Sequence, residues 1–475
     1  MTSPRPSQAG ASPSSTESPS ALRVRLAELD EEKDALESRL RSLANERRKV
    51  VHGLNAVKYP VLTLPPEITS EIFAHYVHDP HLGSPGRDPQ GRGPLALAGV
   101  CRSWRDICFM TCTLWASLRI YPDRSRVDDF IHLLECWLQR AGNHPLDLHI
   151  FGCAKPESTV PMKIFGVISH YSSRIRTFSF TLDTPYSFPN VKIQGRLPLL
   201  TKLDVNIIAD ELDRPRFMTA FSDAPRLRQV RLAGASIQWI SLPWIQLTYL
   251  EITDVSVSTC LQILKQTPNL EILDVFLPQP DTELEPLALR PLALAHLHTL
   301  KFSYDPEGGL LACLILPALR TLHLRALKRD GPSRFLALGA RSAWSLRLIS
   351  LKEMRAADCA VCLRSLPSIT EVEMDVPYDQ PTQLISLLRE DSTFLPAVHA
   401  LTIRDCGPEI SLSLLTDMLE SRSTGGYEGM AKLEYFRIFL SPDVSEAYEE
   451  EIHAWLRPLT DVGLGFIDSP RPFRR

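Results

Sequence analysis

The sequence predicts an α/β solenoid: a horseshoe of parallel strands and returning helices, preceded by a small all-α domain and an N-terminal coiled-coil helix. Three observations predict it. A motif of apolar, two variable, apolar, one variable and apolar residues recurs eleven times between residues 146 and 438. Many copies are introduced by Pro or Pro-x. Ahead of them a leucine stripe alternates steps of four and three, the period of a two-stranded helical seam. A length of 475 residues is too great for one compact core unless the architecture is a repeat.

Residues 1–20 are almost all Ser, Pro, Thr, Ala and Gly, and so cannot bury enough apolar surface to offset their ordering entropy. They are expected to be a disordered tail. Residues 21–57 follow as a helix whose seam runs Leu22, Leu26, Leu29, Leu36, Leu40, Leu43, Val50, Leu54 and Val57, interrupted by Lys33 and Arg47. Such a stripe suits either a homodimer or packing on the next domain of the same chain.

Residues 59–121 carry two apolar blocks around a Gly/Pro-rich loop at 79–94. The first block is Leu64, Pro65, Pro66, Glu67, Ile68, Ile72 and Phe73; the second is Leu97, Val100, Cys101, Arg102, Trp104, Arg105, Leu114 and Trp115. Ile68 and Ile72 share a helix face at i, i+4, and the prolines pre-set the first turn. Three short helices cannot bury this much apolar surface alone. The segment resembles an F-box, in the F-box-like form expanded in fungi. The resemblance implies docking to the S-phase-kinase-associated adaptor of cullin–RING ubiquitin ligases. Its adaptor-binding residues would be Leu64, Pro65, Pro66, Ile68, Ile72, Phe73, Val100, Cys101 and Trp104, with Trp104 and Trp115 also holding the helices together. The loop at 79–94 is longer than the usual F-box connection and is read as an insertion.

Residues 122–462 hold the repeats, and 463–475 are a C-terminal tail. The copies run from Ile175-Phe178-Phe180 to Leu433-Phe436-Ile438, and most first positions lie 20–29 residues apart. That spacing resembles leucine-rich repeats, each a strand plus a returning helix that buries its leucines only against its neighbours. Proline before a copy is expected to stop the preceding helix. The turn position eight residues on is Cys only at Cys406, so the array is expected to be irregular.

With the motif leucines inward, alternate residues line the concave face. They are Arg231, Tyr249, Glu251, Asp274, Phe276, Lys301, His323, Arg325, Lys352, Glu371, Glu373, Asp375, Arg404, Tyr435 and Arg437. Eleven strands would make a face roughly 50 Å long, enough for a folded target protein. Mixed charge with aromatics suits protein recognition better than a phosphate backbone. Lys352, Asp375 and Arg404 would alternatively form a charge ladder that only stabilises the sheet.

A net charge of −4 gives no overall pull toward nucleic acid or membrane. The longest apolar run, Leu310 to Leu319, is far short of a membrane span. Ten scattered cysteines behind a polar N-terminus point to reduced thiols and a soluble protein of the cytoplasm, the nucleus or both. Cys359 and Cys362 form a lone CxxC, and His75, His78 and His81 run from a helix into a loop; neither has a metal set, and no cofactor is expected. No phosphate loop, GxSxG or HExxH is present. The reading is a non-catalytic specificity subunit. Its rivals are a repeat scaffold unconnected to a ligase and an enzyme with its site in an irregular loop.

Overall fold

A computed structural model describes residues 18–56, 63–78, 93–120, 127–153, 160–182, 196–207 and 218–455, except 235–236, 238–239, 278–290, 305–308, 328–329, 378, 424–429, 442–443, 446–447 and 453. The expected tail at 1–17, Val57, the bulk of the loop insertion, His81 and the segment 463–475 lie outside them.

Thirteen parallel strands form one sheet in strict chain order. All eleven motif copies lie along its strands, from Ile175–Leu182 to Tyr435–Leu440. Two further strands precede them, Ser117–Ile120 and Leu146–Cys153. The first of these falls inside 59–121, the segment expected to be all helical, so the sheet begins within that segment. Strand order matching chain order means that every crossover goes the same way, which places the α/β chain in a solenoid-like stack.

The burial pattern explains why the sheet covers only one face. Strands such as Tyr249–Thr253 and Glu371–Asp375 alternate half-buried and buried residues. All-parallel sheets normally read as continuous apolar runs because helices cover both faces. Here the motif leucines face helices, and most of the alternate side chains stay partly exposed.

The prolines do something other than stop helices. In most copies the first motif residue donates its N–H to the carbonyl three residues back, and six of these carry a proline in the turn: Leu200 to Leu197, Leu227 to Ala224, Leu270 to Thr267, Leu319 to Leu316, Ile369 to Leu366 and Val398 to Leu395. Pro198, Pro225, Pro268, Pro317, Pro367 and Pro396 each occupy the second residue of that four-residue turn. A ring that pre-sets φ near −65° favours this position. The turn then aims the chain into the sheet.

At the other end of the strand, six copies place a left-handed residue two positions after the last motif residue: Gly234, Asp254, Tyr304, Ala326, Glu353 and Asp405, with φ between 51° and 97°. The N–H groups of Gly234, Asp254, Tyr304 and Ala326 still bond to the next strand, so the ladder ends with them as the chain turns away. A Cβ on Gly234 would come 1.8 Å from the Ile207 carbonyl oxygen, so this copy requires glycine.

The expectation of one helix per unit holds only in places. Helices Val257–Leu264, Gly331–Ser342, Ala356–Arg364, Gln383–Glu390 and Leu412–Ser423 return the chain as expected. Between Gln229–Ala233 and Tyr249–Thr253 the described return is only the 3-10 turn Trp244–Gln246. A twenty-residue step leaves too little chain for both a full helix and the two turns.

Candidate functional site

The helical head comprises helices Pro66–His78, Pro94–Ala98 and Arg102–Met110 and the 3-10 turn Cys112–Trp115. Phe73, Leu97, Cys108, Leu114 and Trp115 are buried within it. The Trp115 indole N–H donates to the Cys108 carbonyl at 2.8 Å. Trp137, on helix Val127–Arg140, stacks edge-on against Trp115 at 4.8 Å and donates to the Trp115 carbonyl at 3.0 Å. These contacts fasten the head to the first layer of the solenoid.

Other apolar residues of the head point outward. Leu64, Ile68 and Ile72 are 38%, 51% and 49% exposed, and Leu95, Val100, Phe109 and Met110 are also exposed. Pro65 and Pro66 are exposed ahead of them. Phe73 must be removed from the expected docking set: it is 2% exposed and meets Trp104 edge-on at 4.9 Å. The helix turns by about 100° per residue, so a neighbour of Ile72 falls on the other face. Val100 lies in the turn after Pro94–Ala98, not on a helix with Trp104. Cys101 is half-buried, and its Sγ accepts the Trp104 backbone N–H at 3.5 Å, capping the third helix.

The second surface is the uncovered face of the sheet. Its central row sets Arg231, Glu251, Asp274, Lys301, His323, Ser350, Glu373, Thr402 and Arg437 side by side on successive strands. Arg231 pairs with Glu251 at 2.6 Å, and the Tyr249 hydroxyl donates to the same carboxylate at 2.7 Å. Burial and the Glu251 carboxylate push the Tyr249 hydroxyl up to about 12. Lys301 pairs with Asp274 at 3.7 Å.

The expected ladder of Lys352, Asp375 and Arg404 is replaced by a hub on Glu373. Lys352 reaches Glu373 at 3.3 Å, and Arg404 hydrogen-bonds the same carboxylate. Burial pushes Glu373 up, but the two cations outweigh it and hold the carboxyl below its ordinary value. The reach of both cations is diagonal, to the neighbouring row, because long side chains lean along the strand. The Arg404 guanidinium also lies 4.1 Å over the Phe439 ring. Asp375 is left with the Glu353 backbone N–H and a more distant Lys352, and burial raises its pKa. Arg325 turns to Glu353 at 2.5 Å. Burial also lowers His323, so its imidazole is neutral at physiological pH and offers both a donor and an acceptor.

Four face residues were not singled out from the sequence: Ser179 and Asp204 on earlier strands, and Ser350 and Thr402 between charged neighbours. They have the same register signal, and only their lack of charge or their early position hid them. Ser350 is fully buried, with a hydroxyl that has no hydrogen-bond partner among the described residues. Phe276 and Glu371 are half-buried on their strands, with Glu371 held by Arg347 at 2.9 Å. Tyr435 and Arg437 stand exposed on the last strand.

Cys359 and Cys362 are buried on their helix, and burial pushes both thiols up to about 12. Thiols held protonated are poor metal ligands or nucleophiles at neutral pH. Among the described residues no group of three or more His, Cys, Asp or Glu is placed to hold a metal ion. No described helix is long and apolar enough to cross a membrane. The chain matches no known family model and no curated protein.

Proposed function

We propose that the chain is the substrate-recognition subunit of a cullin–RING, SCF-type ubiquitin ligase. An F-box head docks on the S-phase-kinase-associated adaptor, and leucine-rich repeats hold the target protein on the concave face. The observation that carries this reading is the outward exposure of Leu64, Ile68 and Ile72 on a head whose other side seals the solenoid. A terminal cap needs a polar outer face for solubility. An apolar outer face is what a partner's helices would cover.

The face supports the target half of the reading. Most of its cations and carboxylates are already paired within the chain, which fixes their positions before a partner arrives. Arg437 and Tyr435 remain open at one end, where rigid amphipathic side chains make strong anchors. The chain contributes positioning: holding a target lysine beside a conjugating enzyme raises its effective concentration.

A repeat scaffold unconnected to ubiquitination is the second reading, and the Trp115–Trp137 contact is compatible with it, because it would serve a plain cap equally well. A pull-down with purified adaptor separates the two. The folded parent is expected to retain the adaptor, and a folded Leu64→Ala/Pro65→Ala/Ile68→Ala variant to lose it. A folded parent that retains none leaves the scaffold reading.

A further inference from the structure

The helix Pro19–Ala56 has every described side chain exposed, so its apolar stripe is bare. Leu22, Leu29, Leu36, Leu43 and Val50 recur at sevens, with Leu26 and Leu40 between them, and all are 46% to 67% exposed. Leucine at four d positions, valine at the fifth and a basic residue at two a positions, Lys33 and Arg47, is a pattern that specifies a defined helical pair. A helix in water draws most of its stability from packing such a face.

From this we infer that the stripe is covered by a second copy of the same helix, parallel and in register, making the protein a homodimer through residues 22–50. The charges select the orientation. Arg25 pairs with Glu28 and Arg41 with Glu37 along the helix, whereas Glu32, Lys33, Glu46 and Arg47 make no ion pair among the described residues. Glu32 and Glu46 occupy g positions, immediately before the basic a positions. In a parallel pair each a side chain packs beside the g residue of the other helix, so Lys33 meets Glu32 and Arg47 meets Glu46 of the second copy. Other charged residues of the helix, Arg39 among them, are also without an ion pair among the described residues; these four are the ones at or directly before a basic a position. In register each a side chain also faces its own counterpart, so Lys33 with Lys33 and Arg47 with Arg47 are like-charge contacts beside Glu32 with Glu37, and the flanking Glu32 and Glu46 carboxylates of both copies offset them.

The antiparallel arrangement that aligns the same stripe fails on charge. It would set Glu32 against Glu46, and Arg39 and Glu37 each against its own counterpart, all like pairs.

A parallel dimer would place two heads and two concave faces at the same end of one rod, so one assembly could engage two targets or two sites on one target. The inference does not depend on adaptor docking, because a monomer with an intact head would still bind the adaptor.

Sedimentation equilibrium of the full chain tests it, together with a Leu29→Cys variant under mild oxidation. A dimer is expected at micromolar concentration, with Leu29→Cys giving a covalent dimer that the parent does not form. Leu29→Asp/Leu36→Asp is expected to be monomeric, with the near-ultraviolet spectrum of the solenoid unchanged. Lys33→Glu/Arg47→Glu is expected to weaken the dimer by about tenfold or more. A parent monomeric at tens of micromolar, or a dimer that survives Leu29→Asp/Leu36→Asp, overturns the inference. A dimer in which Leu29→Cys fails to cross-link overturns the parallel arrangement.

Discussion

Trp104 and Trp115 sit eleven residues apart in one head, yet their surroundings give them different weights. Trp115 is fully buried and its N–H is satisfied by Cys108; Trp104 is half-buried, and its indole nitrogen has no partner among the described residues. Trp115→Phe removes ring volume and leaves a buried carbonyl short of a donor, at a cost of about 2–3 kcal/mol. Trp104→Phe removes no hydrogen bond and keeps an aromatic edge on Phe73, so it should cost about 1 kcal/mol or less. Urea midpoints of the two variants check the difference, and equal losses would contradict it. His323 gives a second test at this scale. Burial, against the pull of Glu373, holds its imidazole below the ordinary 6.5, so the unfolded chain takes up the proton first as pH falls. The stability linked to neutral His323 is therefore fully present above pH 6.5 and is lost as pH falls through the folded value. Between about pH 7.5 and about pH 5.5 the parent's urea midpoint should drop more than that of His323→Gln. Parallel curves for the two would contradict the assignment. Glu373 shows what residue types alone do not disclose: the alternation put it on the open face, but its role as the shared partner of Lys352 and Arg404 depends on diagonal reach between rows.

Helices Gln383–Glu390 and Leu412–Ser423 are joined by Arg422, which the sequence did not mark out. It is 4% exposed and donates to the carbonyls of Leu388, Asp391, Phe394 and Leu395 at 2.7 to 3.3 Å. These carbonyls belong to a helix end and the turn after it, where acceptors lack intrahelical partners. An arginine late in a helix reads as a solvated end or a dipole contact, and nothing local signals that it crosses to the preceding unit. Arg422→Ala is expected to cost about 3 kcal/mol or more, because several buried acceptors lose a charged donor together. Arg422→Lys should recover only part of that loss, since one ammonium cannot match the planar fork. Full recovery by lysine in a urea titration would argue against the capping role. Strands, by contrast, were legible: the motif with its two fixed gaps imposes a period of two, and each copy from Ile175 to Ile438 lies along a strand. The strands Ser117–Ile120 and Leu146–Cys153 were harder to read because each lies outside the eleven-copy series. The prolines were visible, but their function as turn residues depended on a carbonyl three positions upstream.

Across the whole molecule, thirteen strands each contact only their neighbours, so cooperativity is a sum of local interfaces rather than one global core. Unfolding in urea should therefore be broad or stepwise. Indole fluorescence reports only the surroundings of seven tryptophans, three of them, Trp104, Trp115 and Trp137, at the N-terminal end, and should not coincide with the far-ultraviolet signal of the full array. A single sharp transition shared by both probes would show one cooperative unit instead. The same architecture gives the head its two sides, one fused to the solenoid through Trp115 and Trp137, the other presenting Leu64, Ile68 and Ile72. Whether that outer side is a docking surface is the claim on which the ligase reading depends. Titrating purified adaptor into the full chain, beside an Ile68→Asp/Ile72→Asp variant, tests it most directly. The account predicts saturable binding by the parent and about 100-fold weaker binding by the variant, with its thermal midpoint unchanged because both residues are exposed. Equal affinity in parent and variant, or no binding by a folded parent, would contradict it.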